Sequence, residues 1–327
     1  MEKMKQALSA CRVCPRKCGV DRTAGALGWC RASALPRLAL VSGHFWEEPP
    51  ISGTKGSGTV FFSHCNMGCV FCQNAAISTG GFGQEVSVRR LAEIFLEQQA
   101  RGFHNVNLVS AVQYLPQTAA ALELAKQRGL AIPVVYNSNG YETAEGLRML
   151  DGLVDVYLPD FKYWDNALGE LFSHAPHYRD AAAAAIMEMR RQTGSEQFDA
   201  DGLLQRGLIV RHLVLPGQFR DSFRVLDWIR ENLGAKTYVS LLNQYTPPKT
   251  LPPLPVGASE ADIARRKALS RRLTTYEYER VVEHFFAIGL QNGFTQERSS
   301  AAAAYTPIFD LSGVAGSLED GKEKDNG

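Results

Sequence analysis

Short apolar segments alternate with longer amphipathic segments through most of the chain. The apolar segments are rich in Val, Ile, Leu and Phe, which is typical of buried strands in parallel sheets. We predict six strands from them, at residues 58–62, 105–110, 132–136, 154–158, 208–215 and 237–242. Because helix-like segments separate the strands, the order favours an α/β fold, namely a partial (β/α)6 barrel of the TIM type.

The amphipathic segments carry helix start and stop signals. Residues 87–102 have apolar side chains at helical spacing, with Ser87 as the candidate N-cap and Gly102 as the candidate terminating glycine. Residues 115–129 and 219–234 end at a glycine in the same way. These three segments are therefore predicted to be the helices that connect the strands.

Two segments interrupt this alternation. Residues 173–202 lengthen the fourth unit with helix-forming residues, and residues 245–259 include a proline-rich run that excludes regular helix or a central strand. We interpret the second segment as a lid or as a loop that covers an edge. Residues 274–289 form a last amphipathic helix, and the polar residues 316–327 are predicted to be disordered.

These patterns divide the chain into three parts. Residues 1–50 form a Cys-rich N-terminal extension, called the leader below, which we expect to bind metal. Residues 51–300 form the barrel, and residues 301–327 form a polar tail that we expect to be disordered.

Polar and ionisable residues follow or end most of the predicted strands. In α/β barrels the functional groups gather at the carboxyl ends of the strands, so these positions are candidates for a site. They lie in residues 63–74, 137–140, 159–162, 211–217 and 243–248. We therefore expect one site at this rim of the barrel.

Composition excludes several classes of protein but leaves the partner open. The chain has 327 residues, which is enough for a large core, and 45% hydrophobic and 21% charged residues argue against disorder. A net charge of +1 gives no indication of nucleic-acid binding. The N-terminus has no apolar core of a signal peptide and no segment is apolar enough for a membrane span, so we expect a cytoplasmic protein without a membrane partner.

The cysteines change this picture because all seven of them lie within residues 11–72. Disulfides are rare in the cytoplasm. Seven thiols in one region therefore indicate metal or redox ligands. Cys65, Cys69 and Cys72 form a C-x3-C-x2-C run directly after the first predicted strand. Thiolates select zinc, copper or iron–sulfur centres over hard cations.

Three cysteines are one ligand short of a tetrahedral zinc site. His64 is a candidate fourth ligand, although it is adjacent to Cys65, and adjacent side chains usually diverge. A four-iron cluster held by three cysteines would instead leave one iron open to a ligand that is not protein. A structural zinc or disulfide role and a chemical role therefore compete for this loop.

The leader contains a second set of four thiols, Cys11, Cys14, Cys18 and Cys30, with basic residues between them. Four thiolates can close a zinc site or bind an auxiliary iron–sulfur cluster. Zinc would order a segment that is too small to fold alone, whereas a cluster would pass electrons or position substrate. We expect a fully ligated metal centre here and leave the metal open.

The C-x3-C-x2-C loop, with Phe71 before its last cysteine, resembles the signature of the radical S-adenosylmethionine (radical SAM) enzymes. The resemblance covers roughly residues 5–300 and looks like the branch related to pyruvate formate-lyase activating enzymes (PflX-type). The segments that carry this finer likeness are NLVS, VVYNSNGYE, YLPDFKYW, VRHLVLPG and LNQYTP. The resemblance implies a partial (β/α)6 barrel with a 4Fe-4S cluster, whose open iron binds S-adenosylmethionine and which reductively cleaves it to a 5′-deoxyadenosyl radical.

The same resemblance assigns roles to single residues. Cys65, Cys69 and Cys72 match the cluster ligands, through which the catalysis runs, and Phe71 would lie near the adenine. His212 resembles a histidine that contacts the ribose or the adenine of the cofactor.

Further cofactor contacts are expected on neighbouring strands. Asp160 and Lys162 resemble residues at the methionine end of the cofactor, and alternation places both on one face of an extended segment. Their rival interpretation is a structural salt bridge. Asn137 and Asn139 offer amide hydrogen bonds to cofactor or substrate, although Asn139 before Gly140 also suits a turn.

The chain departs from the family at one place. The Gly-Gly-Glu element expected at the end of the second strand is replaced by SAVQYLP, so Ser110, Gln113 or backbone groups are candidates to bind the cofactor amino group.

Two function classes stay open. The favoured one is a radical SAM oxidoreductase, with activation of a glycyl-radical enzyme as one function; this would involve an electron donor such as flavodoxin or ferredoxin and a protein substrate. The alternative is a non-catalytic metal-binding or redox interaction protein on the same barrel.

Overall fold

A computed structural model describes residues 2–254, 256–296 and 307–315. Within these residues ten strands belong to one sheet. They are β1 Arg37–His44, β2 Ser57–Phe62, β3 Gln84–Glu85, β4 Val106–Val109, β5 Val134–Ser138, β6 Val156–Pro159, β7 Gln197–Phe198, β8 Leu204–Leu213, β9 Tyr238–Leu242 and β10 Asn292–Thr295.

The helices lie mostly between these strands. They are α1 Glu2–Ser9, α2 Pro49–Ser52, α3 Ala75–Ser78, α4 Val88–Ala100, α5 Leu115–Gln127, α6 Ala144–Leu147, α7 Asn166–Ser173, α8 Tyr178–Thr193, α9 Phe219–Leu233, α10 Glu260–Ala268 and α11 Thr275–Ala287. Short 3-10 helices span Val112–Tyr114 and Arg148–Leu150. In the described part of the chain, no helix is long and apolar enough to cross a membrane.

The predicted (β/α)6 order is confirmed. Six strands lie side by side in the sheet in chain order, and each neighbouring pair is parallel: β2, β4, β5, β6, β8 and β9. Helix α4 begins after Ser87, whose hydroxyl accepts from the backbone N–H of Arg90, as the N-cap pattern predicts. The six carboxyl strand ends therefore meet at one rim.

The sheet is buried on both faces, which explains why its strands are continuously apolar. Alternate residues of β5 and β6 point to opposite sides: Val135 and Val156 pack inside the barrel, whereas Tyr136 and Tyr157 pack against the helices. Ile51 of α2 joins the inner cluster and closes the barrel from below. The segment around α2 is thus the floor beneath any site at the rim.

The leader contributes to the sheet itself. Strand β1 pairs antiparallel with β2, and β3 pairs with β1 at the same edge. The predicted boundary near residue 50 therefore falls after a strand of the barrel sheet. Neither β1 nor β10, which extends the sheet in parallel beyond β9, was expected from the apolar pattern.

Part of the predicted tail is ordered, which corrects the expectation for residues 307–315. The backbone N–H of Leu311 donates to Ala39 O at 3.0 Å, and that of Val41 donates to Ser312 O at 2.8 Å. Val314 is fully buried, because this segment carries enough apolar side chains to pack along β1. The polar residues 316–327, predicted to be disordered, lie outside the described residues.

The structure shows both predicted interruptions of the strand–helix alternation. Helices α7 and α8 and the strand β7 lengthen the unit between β6 and β8. The described residues of the segment 245–259 contain no helix or strand. This proline-rich segment contributes Pro248, Thr250 and Pro252 to a cleft beside the cysteine loop.

Candidate functional site

A cavity of about 500 Å³ opens at the carboxyl ends of the parallel strands, as the barrel geometry predicts. This volume is within the range of sites for small molecules and cofactors. Eight of the predicted site residues line it: Cys65, Cys69, Cys72, Ser110, Asn137, Asn139, Asp160 and Lys162. The fold thus brings together residues from four different strand ends.

Gln113 fixes the start of the cysteine loop after β2. Its side-chain amide donates to the carbonyl oxygens of Ser63 at 3.0 Å, His64 at 3.1 Å and Ser110 at 2.7 Å. His64 and Ser110 both have positive φ, 69° and 58°, so the two loops turn sharply where Gln113 joins them. Gln113 is buried outside the cavity and holds the loops, whereas Ser110 faces the cavity.

Each of the three loop thiols has a polar side chain beside it. Asn139 Nδ2 donates to Cys65 Sγ at 3.4 Å, and Ser173 Oγ donates to Cys69 Sγ at 2.9 Å. Cys72 Sγ and Ser78 Oγ are 3.3 Å apart, and either can be the donor. Three separate segments therefore supply polar groups to the three sulfur atoms.

Burial disfavours the free thiolate form of two of the loop thiols. Burial raises the pKa of Cys65 to about 12, and it raises that of Cys69 to about 11 although Lys162 lowers it. Among the described residues no three His, Cys, Asp or Glu side chains converge on a single metal ion. The thiolates of a four-iron cluster bind different irons and stand farther apart than those around one zinc ion, so the loop fits a cluster better.

Asp160 and Lys162 form the predicted pair on the cavity wall. Lys162 Nζ lies 2.5 Å from Asp160 Oδ2. Burial alone would lower the pKa of Lys162, but Asp160 and the nearby Cys69 raise it above its ordinary value. Glycine at position 140 permits this arrangement, because a Cβ there would collide with the carbonyl oxygen of Asp160. The salt bridge is thus real, and it faces the cavity.

Beneath this pair lies a charged group that the sequence analysis missed. Arg211 Nη1 is 3.1 Å from Glu47 Oε2, and Arg211 Nε is 3.6 Å from Glu48 Oε1 and 3.9 Å from Asp160 Oδ1. Asn107 Nδ2 also donates to Glu47 Oε1 at 3.0 Å. Arg211 was within the quoted strand segment, and inward alternation along β8 could have identified it, but the glutamates precede α2 and carry no such signal.

Two predicted cofactor contacts do not line the cavity. His212 follows the inward-pointing Arg211 and therefore faces the helices, where its Nδ1 is 2.6 Å from Phe161 O. Burial lowers the pKa of His212 to about 4, so its ring is neutral. Phe71 packs edge-on against Tyr245, with ring centroids 5.7 Å apart. Both side chains are core residues and lie outside the cavity lining, whereas they were expected beside the adenine.

The four leader thiols surround a small cleft of their own. Cys11, Cys14, Cys18 and Cys30 all line it, together with Arg22. Burial raises the pKa of Cys14 to about 12. All seven cysteines of the chain are free of disulfides. Among the described residues these four thiols also do not converge on a single metal ion, and the metal of the leader stays a prediction.

Two solved structures illustrate the similarity to known folds. SuiB of Streptococcus suis, solved with S-adenosylmethionine bound, aligns with TM-score 0.46 and 12% identity over 72% of this chain and 48% of that chain. The [FeFe]-hydrogenase maturase HydG of Carboxydothermus hydrogenoformans aligns with TM-score 0.41 and 12% identity over 75% of this chain and 59% of that chain. The chain spans about half the length of SuiB.

The sequence comparisons identify the family. MJ0674, an uncharacterized protein of Methanocaldococcus jannaschii, is 29% identical over 291 residues, which cover 86% of this chain and 76% of that protein. The sequence model of the radical SAM superfamily matches residues 59–231, a span that includes the cysteine loop and most of the parallel strands. This match covers more than half of the chain, and the protein belongs to the radical SAM superfamily.

Proposed function

We propose that the protein is an enzyme that reductively cleaves S-adenosylmethionine for hydrogen abstraction, with a 4Fe-4S cluster on Cys65, Cys69 and Cys72. The observation that carries this proposal is the opening of these thiols into a cavity of about 500 Å³ whose wall holds the Asp160–Lys162 pair. A non-catalytic metal-binding protein would need the thiols but would have no use for the charged wall beside them.

When bound, the cluster and S-adenosylmethionine supply one-electron cleavage of the cofactor to methionine and a 5′-deoxyadenosyl radical. The chain's own residues bind and orient the cofactor. Asp160 and Lys162 present opposite charges, which suits the ammonium and carboxylate of an amino-acid group. Asn137 and Asn139 add amide groups on the next strand end, and Ser110 faces the cavity where the Gly-Gly-Glu element is missing.

The finer assignment is a pyruvate formate-lyase activating enzyme-like (PflX-type) protein, and a glycyl-radical activase is its most specific form. The supporting observations are the order of the rim segments and the Cys-rich leader. A reductant such as flavodoxin or ferredoxin and a protein substrate would then be partners. Seven free thiols suit the reducing cytoplasm as the compartment.

Anaerobic reconstitution with iron and sulfide tests the proposed function. The reduced protein should show the electron paramagnetic resonance signal of a four-iron cluster, and S-adenosylmethionine should change it by binding the open iron. With dithionite as reductant, 5′-deoxyadenosine should form. An unchanged spectrum at saturating cofactor, together with no 5′-deoxyadenosine, would favour the non-catalytic alternative.

Asp160→Asn and Lys162→Met should each weaken S-adenosylmethionine binding about tenfold, because each removes one charge-assisted contact of about 1.4 kcal/mol. The melting temperature should change little, since both side chains face the cavity and are partly exposed to solvent. His212→Gln is the matched control: it alters a polar group on the helix side and should leave binding unchanged. Titration of the cofactor and thermal unfolding separate the two roles, and a large loss of stability with normal binding would make the pair structural.

Ser173→Ala should lower the reduction potential of the cluster, on the order of tens of millivolts. A hydroxyl donor to Cys69 stabilises the more negative reduced state, and this donor is lost in the variant. Tyr163→Phe is the control, because it removes the 2.6 Å contact with Ser173 Oγ but keeps the donor to sulfur. Redox titration followed by electron paramagnetic resonance measures both, and equal potentials in all three proteins would contradict the prediction.

A further inference from the structure

The rim cavity extends below the cofactor contacts, into a part of the barrel that the proposed function leaves unused. Trp46 and Glu47 line it together with the cysteine loop. They follow β1, whose last residue, His44, pairs with Ser57 at the start of β2. The thiols follow the other end of β2, so the cavity runs from the carboxyl ends of the parallel strands towards their amino ends. It therefore offers a second subsite, on the side away from the thiols.

The charges in this part of the barrel do not balance. Five side chains contact one another there and are called the floor group below: Glu47, Glu48, Asp160, Lys162 and Arg211. Three of them are carboxylates and two are cations, so the floor group has one negative charge in excess. The side chains of Glu47 and Glu48 are only 9% and 5% exposed. An unbalanced charge is costly at such depth unless a counter-charge binds beside it.

Buried oxygen atoms without a donor lie in and beside the floor group. Within the described residues, Asn107 Oδ1 and Glu48 Oε2 have no hydrogen-bond partner. Asn107 is fully buried, and its Nδ2 donates to Glu47 Oε1 at 3.0 Å, which directs its amide into the floor group. Arg211 Nε also makes no hydrogen bond, but it already faces the carboxylates of Glu48 and Asp160. The floor group therefore lacks hydrogen-bond donors and a positive charge at the same place.

We infer that the floor group binds a primary ammonium group of the substrate, carried by a small amine or by a lysine side chain. The inference rests on the proposed function and gives its substrate a chemical class. A primary ammonium group has one positive charge and three N–H donors, which match the excess charge and the unpartnered oxygen atoms. Trp46 adds an aromatic ring to the same part of the cavity, and aromatic rings attract ammonium groups.

Other ligands fit the floor group less well. A water molecule would donate hydrogen bonds but would leave the negative charge unpaired, and an anionic substrate would add to it. A divalent metal ion needs several converging ligands, and in the described part of the chain no three His, Cys, Asp or Glu side chains converge. The sulfonium of S-adenosylmethionine is also positive, so the test includes competition with the cofactor.

The test measures the melting temperature of the reconstituted, unreduced full chain with saturating S-adenosylmethionine at constant ionic strength. n-Butylammonium chloride should raise it in a saturable way, whereas 1-butanol and sodium butyrate, which have a similar size, should not. Glu47→Gln and Glu48→Gln should each raise the half-saturating concentration of n-butylammonium about tenfold, because each removes the excess charge. Glu93→Gln is the matched control: it removes a partly exposed carboxylate of α4 that pairs with Arg89, and it should behave like the unsubstituted protein.

Three results would overturn the ammonium site. One is the absence of a saturable response to n-butylammonium, or a saturable response to butyrate. Another is an equal half-saturating concentration of n-butylammonium in Glu47→Gln, Glu48→Gln and Glu93→Gln. The third is a half-saturating concentration that rises in proportion to S-adenosylmethionine, which would assign the floor group to the cofactor.

A further arm identifies the source of the ammonium group. A Gly-Lys-Gly peptide with blocked ends that binds about tenfold more tightly than n-butylammonium, but not to Glu47→Gln, would identify a lysine side chain; weaker binding of the peptide would identify a small amine. Failure of the proposed function is distinguishable, because amine binding needs no reductant and no cleavage. A protein that binds the amine through Glu47 but forms no 5′-deoxyadenosine with dithionite keeps the ammonium site and loses the radical chemistry.

Discussion

Cys72→Ala is expected to abolish 5′-deoxyadenosine formation and to remove the iron of the barrel loop, while the barrel stays folded. The loop directly follows β2, which is buried along its whole length, so the fold does not depend on the thiol. With two ligands left, the cluster has no stable three-point attachment. Iron content, the electron paramagnetic resonance signal and the product assay should all fall to background.

The leader thiols provide the contrast. Cys18 lines the leader cleft, and Cys18→Ala should loosen the leader, because metal ligation orders a short segment. We expect faster proteolysis of the part of the leader before β1, a lower melting temperature, and cofactor cleavage that is reduced but detectable. Cys72→Ala should leave the leader protected from protease. If Cys18→Ala removes the iron of the barrel loop, the seven thiols form one coupled centre and the division is wrong.

The sequence predicted the six parallel strands because each of them is buried on both faces and therefore continuously apolar. It failed for β1 and β10, which lie towards the edges of the sheet. Strand β1 begins in the Cys-rich leader, whose composition suggested a separate metal-binding segment. Strand β10 consists of Asn292–Thr295, which has no apolar run to mark it. Edge strands have fewer neighbours to satisfy, so their sequences carry a weaker pattern.

The sequence predicts those site residues whose position follows from the order of the strands alone. The cysteine loop and the residues after β5 and β6 lie at the rim because all parallel strands end there. Along β8 the inward residue is Arg211 and not His212, because successive side chains point to opposite faces of a strand. Phe71 was assigned from the resemblance, which specifies a neighbourhood and not a packing partner such as Tyr245.

The contact of Glu47 and Glu48 with Arg211 could not be predicted from the sequence. They belong to the segment before α2 and meet Arg211 only because Ile51 closes the barrel floor. Their contact spans more than 160 positions of the chain, and no local pattern encodes it. The leader therefore adds a charged floor as well as metal ligands, and this floor is a property of the assembled barrel.

Arg211→Met is expected to be among the most destabilising single changes in the barrel. Arg211 lies 3.1 Å from Glu47, 3.6 Å from Glu48 and 3.9 Å from Asp160. These carboxylates raise the pKa of Arg211 against the opposing effect of its burial, so the guanidinium is held charged. Without it, the two nearly buried glutamates and the partly exposed Asp160 repel one another, with Lys162 as the remaining cation of this group. Breaking such a buried network costs about 3–5 kcal/mol.

A second substitution identifies the cause of that loss. Adding Glu48→Gln should restore part of the stability, because it removes one of the unpaired charges. Arg89→Met, at an exposed arginine paired with Glu93, should cost less than about 1 kcal/mol. If Arg211→Met costs no more than Arg89→Met, the carboxylates are solvated by the cavity, and the floor is an open binding surface and not a stabilising network.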